Sequence, residues 1–174
     1  MKYKSTLTQE EKEYFMQEAL KEAKIAYLHE EVPIGCVIVK DKKIIAKAWN
    51  TRELSQDATN HAETSAIRLA NQHEKSWRLE KTAIFVTVEP CIMCAGSILL
   101  SRIEEVYYGA SNPKGGAAGS VVNVMDIDAT NHAPYIEKGI LEEECATIMS
   151  AFFKEKRQKL KMKKKTSNLS NDSL

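Results

Sequence analysis

No apolar run in this 174-residue chain approaches the length of a membrane-spanning helix, so no transmembrane helix is expected. The opening stretch, Met1 to Thr8, is charged and polar and carries no secretory signal. Cysteine is scarce, with four in the chain. Without a signal they point to a reducing, cytoplasmic setting, where paired cysteines serve as metal ligands or redox groups rather than disulfides. No internal repeat is present. The glycine-rich stretch from Ser111 to Gly119 lacks a Gly-Lys-Ser/Thr ending, which excludes a phosphate-binding P-loop and leaves a flexible loop.

What is there is enough for one domain with a sizeable core. The net charge of +1 conceals an asymmetry. Residues 1–153 carry 17 Lys and Arg against 22 Asp and Glu, whereas Lys154 to Lys165 gathers eight basic residues around Glu155 alone. Such a segment attracts a polyanion locally, although a solvated helix end has the same composition. The organisation expected is a single domain over residues 1–165, ending in a basic helix, with a polar, disordered tail over 166–174.

Thr8-Gln9-Glu10-Glu11 is a capping box that opens a helix. Phe15, Met16, Ala19, Leu20, Ala23, Ala26 and Tyr27 follow at helical spacing and predict its buried face. The helix ends near His29, before Pro33. Ile34 to Val39 and Ile44 to Trp49 read as strands joined by a short hairpin at Asp41-Lys42. Asn50 to Asn60 reads as a loop, and His61 opens the next helix. Thr82 to Val88 is the most hydrophobic strand and belongs at the sheet's centre. A helix from Cys91 to about Ser101 and a strand from Glu105 to Tyr108 complete a parallel crossover. A last strand over Tyr135–Leu141 and a helix from Glu142 into the basic run follow. The order predicts an α/β fold, a mixed sheet with helices on both faces.

Chemistry concentrates in two places, His61-Ala62-Glu63 and Pro90-Cys91-Ile92-Met93-Cys94. Thiols at i and i+3 share one side of a helix and can share a metal. A histidine from another helix supplies a third ligand, and three protein ligands with an open position describe a catalytic zinc site. His-x-Glu followed by Pro-Cys-x-x-Cys is the signature of zinc-dependent nucleobase deaminases. Zinc so held lowers the pKa of bound water from about 16 toward roughly 7. Glu63, beside the metal but not on it, would carry that water's proton to the substrate ring and then to the leaving amine.

A Cys-x-x-Cys pair also occurs in redox sites and structural zinc knuckles. A structural zinc needs a fourth ligand. Cys36 and Cys145 sit in apolar patterns and read as core, while His29, His73 and His132 have no spacing to recommend them. Three functions stay in view: a deaminase acting on RNA, a deaminase of a free base or nucleotide of guanine or cytidine type, and a non-catalytic zinc module that binds RNA. Glu63 opposes the last, and the basic run favours the first.

The chain resembles the bacterial tRNA-specific adenosine deaminases over nearly its whole length. Beyond the metal motif, the resemblance lies in Glu31-Val32-Pro33-Ile34-Gly35, Ala48-Trp49-Asn50, Ser76-Trp77-Arg78-Leu79, Gly115-Gly116-Ala117-Ala118-Gly119-Ser120, Asn131-His132 and Phe152-Phe153. It implies the cytidine deaminase-like fold, a three-layer α/β/α sandwich with a five-stranded mixed sheet, together with one Zn2+ per chain, a homodimer, and a tRNA anticodon stem-loop as partner. The implied reaction converts the wobble adenosine of an arginine tRNA with an ACG anticodon to inosine. Asn50 would hydrogen-bond the flipped adenine near the backbone of Ala62, with Val32 and Ile34 bordering the pocket. Asn112 and Lys114 would touch the nucleotide backbone, with Phe153 and Arg157 as substrate contacts at the C-terminal helix. Many relatives carry aspartate where Asn112 stands here.

Overall fold

Thr82–Val88 (β3), with all seven residues buried, occupies the middle of a five-stranded sheet in the computed structural model, which describes residues 3–127 and 131–171. Gly35–Lys40 (β1) pairs with it antiparallel, and Lys43–Trp49 (β2) lies antiparallel outside β1. On the other side Glu105–Ala110 (β4) and Tyr135–Lys138 (β5) run parallel to it. The mixed sheet, its central strand and the parallel crossover all match the sequence expectation. The β1–β2 hairpin turns at Asp41 and Lys42, both with positive φ, as the twist of a two-residue hairpin demands.

Period-two alternation divides the sheet between two helical layers. Cys36, Ile38, Ile84, Val86, Val106 and Tyr108 face Ala62–Glu74 (α3, numbered after the short α2 below) and Ile92–Leu100 (α4). Val37, Val39, Ala83, Phe85 and Tyr107 face Gln9–Leu28 (α1) and Glu142–Asn171 (α5). Phe85 and Tyr107 stack there with ring centroids 4.6 Å apart. The capping box of α1 is present, with Thr8 Oγ1 accepting from Glu11 N at 3.2 Å and Glu11 Oε2 from Thr8 N at 2.9 Å. Gly35 is required where β1 leaves α1, because a Cβ there would collide with the Ala19 carbonyl. Cys36 and Cys145 are fully buried core residues.

Four details differ from the sequence reading. The 50–60 segment contains a four-residue helix, Arg52–Ser55 (α2), because the buried Glu31 carboxylate accepts from Leu54 N at 2.6 Å. The last strand stops at Lys138, where Gly139 turns the chain with φ 84°. The glycine-rich segment, expected to be a flexible loop, has its backbone tied to Glu89 and Pro90. The tail expected to be disordered from Thr166 is helical to Asn171, since nothing from Lys154 onward breaks a helix; Asp172 to Leu174 lie outside the described residues. Among the described residues, no helix is long and apolar enough to cross a membrane.

Candidate metal centre and active site

Two helix starts meet at the carboxyl end of β3. His61 is the N-cap of α3 and Cys91 the N-cap of α4, so Glu63 and Cys94 fall in the first turns of their helices. Thiolates there gain from the positive ends of both helix dipoles. His61 Nδ1 stands 3.6 Å from the Sγ atoms of both Cys91 and Cys94. A tetrahedral zinc with ordinary Zn–N and Zn–S bonds separates such ligands by about 3.5 Å, so this donor set fits the ion. Among the described residues these three form the one metal-competent cluster of at least three His, Cys, Asp or Glu side chains. His29 and His73 are exposed and outside it. Buried His132 donates from Nε2 to the Ile103 carbonyl at 2.6 Å and holds a loop instead.

A hydrogen bond from Cys94, helped by one from His61, pulls the Cys91 thiol down to about 4, while the same bond and burial push Cys94 up. The bond to Cys91 raises His61. Glu63 is 3% exposed, and burial pushes its carboxyl up to about 7. Its Oε2 atom is buried without a hydrogen-bond partner. A carboxyl poised near neutrality, with one oxygen free inside a metal site, is suited to accepting and returning a proton.

A second cluster abuts the first. Asn50, just past the end of β2, is buried and donates from Nδ2 to Glu31 Oε2 and to the Val32 carbonyl, each at 3.3 Å. Its backbone N–H donates to the Ile34 carbonyl at 3.0 Å, which brings half-buried Val32 and Ile34 to the same place. Thr51 N donates to the Asn60 carbonyl at 3.3 Å, joining this cluster to His61 and fully buried Ala62. Glu31 and Glu89 are the residues that sequence reasoning missed. Both lie within the motifs already singled out, and Glu89, a carboxylate directly after the apolar run from Ala83 to Val88, carried the clearer signal.

The other expected contacts are spread more widely. Asn112 is half-buried, and its Oδ1 accepts from Gly115 N at 3.1 Å, so it caps a turn; Lys114 is exposed. Phe153, 39% exposed, and exposed Arg157 sit on α5, in the layer across the sheet from the metal ligands. That helix leans on the end of α1 through Tyr27–Phe152 ring packing and the Lys159–Glu30 ion pair, one residue from Glu31. Between the two helices lies a groove of about 470 Å³ bordered by Lys156, Lys159 and Lys163.

A histidine-first helix facing a two-cysteine helix across the end of a three-layer sandwich defines a deaminase of the cytidine deaminase-like fold. Residues 10–157 match the MafB19-like deaminase family. The tRNA-specific adenosine deaminase of Streptococcus pyogenes serotype M3 is 51% identical over 155 residues, 89% of this chain and 91% of its own. A solved structure of a tRNA:A34 deaminase, studied for A-to-I editing at the wobble position, superimposes with TM-score 0.75 at 43% identity, covering 78% of this chain and 98% of that one. Guanine deaminase from Nitrosomonas europaea shares the fold alone, with TM-score 0.65 at 14% identity over 87% of this chain and 86% of its own. The chain belongs to the tRNA-specific adenosine deaminases, and it is an enzyme.

Proposed function

We propose that the protein hydrolyses the wobble adenosine of an arginine tRNA with an ACG anticodon to inosine, releasing ammonia, with one zinc per chain held by His61, Cys91 and Cys94. The observation that carries this reading is the unpartnered, buried Glu63 Oε2 beside a ligand set spaced for a tetrahedral ion. Zinc bound there supplies Lewis acidity and an acidified water. Glu63 accepts a proton on Oε2, returns it to a ring nitrogen of the adenine, and later helps protonate the departing amine.

Asn50 orients the flipped base, with the Ala62 backbone beside it and Val32 and Ile34 as the apolar walls. Asn112 and Lys114 meet the nucleotide backbone on one side of the mouth. Phe153 and Arg157 meet the stem-loop on the other, where the Glu30–Lys159 pair supports their helix. Exposed Leu69 on α3 and exposed Ile92 and Leu100 on α4 support a homodimer through that layer. The protein works in the cytoplasm as residues 1–165, with the polar segment beyond dispensable for chemistry.

Incubation with unmodified arginine tRNA bearing ACG, followed by nucleoside analysis, tests the reading. Inosine at the wobble position is expected, with no turnover of free adenosine, guanine or cytidine. Turnover of a free base or nucleoside with no inosine in the tRNA would overturn it.

A further inference from the structure

Glu89 stands one residue before Pro90-Cys91, is 2% exposed, and takes no part in the proton chemistry. A carboxylate so buried needs several donors to remain charged. It finds them in one place. Asn112 N donates to its Oε2 at 2.9 Å, and Ala118 N and Ser120 N donate to its Oε1, each at 3.0 Å.

The segment that supplies the donors has little else to shape it. It contains no regular element, and of its side chains Ala117 and Ala118 reach the core. Its backbone must nevertheless find partners. Apart from turns closed on Asn112 and Gly116 and bonds to the chain just beyond (Gly119 N to the Val122 carbonyl and Val124 N to the Ala117 carbonyl, each at 3.0 Å), the partners are the Glu89 carboxylate and the Pro90 carbonyl, which accepts from Ala117 N at 2.8 Å. Gly116 pairs with Cys91 in an isolated bridge, and a Cβ at Gly116 would collide with the Glu89 carboxylate. The loop is therefore moulded around one buried anion, directly beside a metal ligand.

We infer that Glu89 is a positioning residue that shapes the 112–120 segment into the RNA-facing wall of the active site, setting where Asn112 and Lys114 meet the nucleotide. The inference rests on the substrate reading above for its consequence, though not for the contacts themselves.

The test uses the zinc-loaded, full-length enzyme and two variants. Glu89→Gln places an amide donor among three N–H donors, so at least one must lose its acceptor. Gly116→Ala presses on the same carboxylate from the other side. Both should keep one zinc per chain. Losing a hydrogen bond to a charged group should speed amide exchange at Asn112, Ala118 and Ser120 by about tenfold or more. The ACG stem-loop concentration for half-saturation should rise by about tenfold, with the single-turnover rate at saturation falling by less than about threefold. The double variant should be no worse than either single one, because both break one device. Unchanged exchange across 112–120 would overturn the inference. So would loss of zinc and of saturated rate at unchanged half-saturation, which would make Glu89 a support of the metal ligands alone. Should the wild-type enzyme form no inosine, the RNA reading falls, and exchange and zinc content, measured without RNA, still decide what Glu89 holds.

Discussion

The two ends of this molecule are built by opposite means. At the metal end, three donors and Glu63 are set by two helix N-termini, largely buried and locked by packing, with the two sulfurs each 3.6 Å from one nitrogen. At the far end of α5 the described charges are exposed, and the Lys159–Glu30 ion pair ties them to the body. The first arrangement makes energy depend on position; the second makes it depend on charge count and salt. Substitutions at the metal end should therefore act as all-or-none changes, and changes along α5 as graded ones.

The largest effect should come from Cys91→Ala. It removes one of three ligands, so bound zinc should fall from one per chain to near zero and inosine formation should cease. The melting temperature should drop with it, because a metal that binds only the folded state stabilises that state. Elemental analysis and a thermal melt check both; full zinc occupancy would show a wrong ligand set. Glu63→Ala comes next. It deletes the proton carrier and no ligand, so zinc and fold should persist while the single-turnover rate falls by about 10²–10⁴-fold. A near wild-type rate would break the mechanism, and loss of zinc would make Glu63 a ligand.

A smaller change should follow at Glu31, which supports the site without touching the metal cluster. Glu31→Gln keeps the size but can turn a donor toward Leu54 N or Asn50 Nδ2, both of which now donate to it. Mispairing one buried hydrogen bond to a charged group should lower kcat/KM for the stem-loop by about tenfold, with zinc unchanged. Equal kinetics for the two proteins would show that Asn50 does not depend on this carboxylate for its orientation.

The same contrast explains what could be read before the structure. The capping box at Thr8, the central strand from Thr82 and the His61, Cys91 and Cys94 set are local patterns, each announced within a few residues of where it acts. The pairing of the strands ending at Val88 and Tyr108 followed because a strand-helix-strand connection favours a parallel crossover. The short helix Arg52–Ser55 was hidden because what holds it, Glu31, lies about twenty residues earlier in sequence. The shape of the glycine-rich segment was hidden for the same reason, its organising carboxylate being Glu89. Long-range capping by a single buried side chain leaves no periodic trace. The tail misled in the other direction. Polar composition suggested disorder, yet Lys, Gln, Met and Leu propagate a helix already nucleated at Glu142.

The gentlest change is at the basic end. Truncation after Arg157 removes five basic residues, from Lys159 to Lys165, and with them the Lys159–Glu30 pair. An exposed pair of this kind adds little to stability, so the body of the protein should melt almost unchanged. Phe152, buried against Tyr27, stays behind to anchor what remains of α5. Zinc content and the rate at saturating RNA should match the full chain, since no removed group reaches the metal cluster. Affinity for tRNA should fall by about tenfold at moderate salt, and each lost phosphate contact should take about 0.9 from the slope of log affinity against log salt, or about 0.7 where the RNA is single-stranded. Two or three contacts would therefore flatten the line by roughly two units. Binding measured across a salt series for both forms gives the number directly. Parallel lines would mean that the run beyond Arg157 is a solubilising end, and that RNA affinity resides in Lys114, Phe153 and Arg157 nearer the pocket.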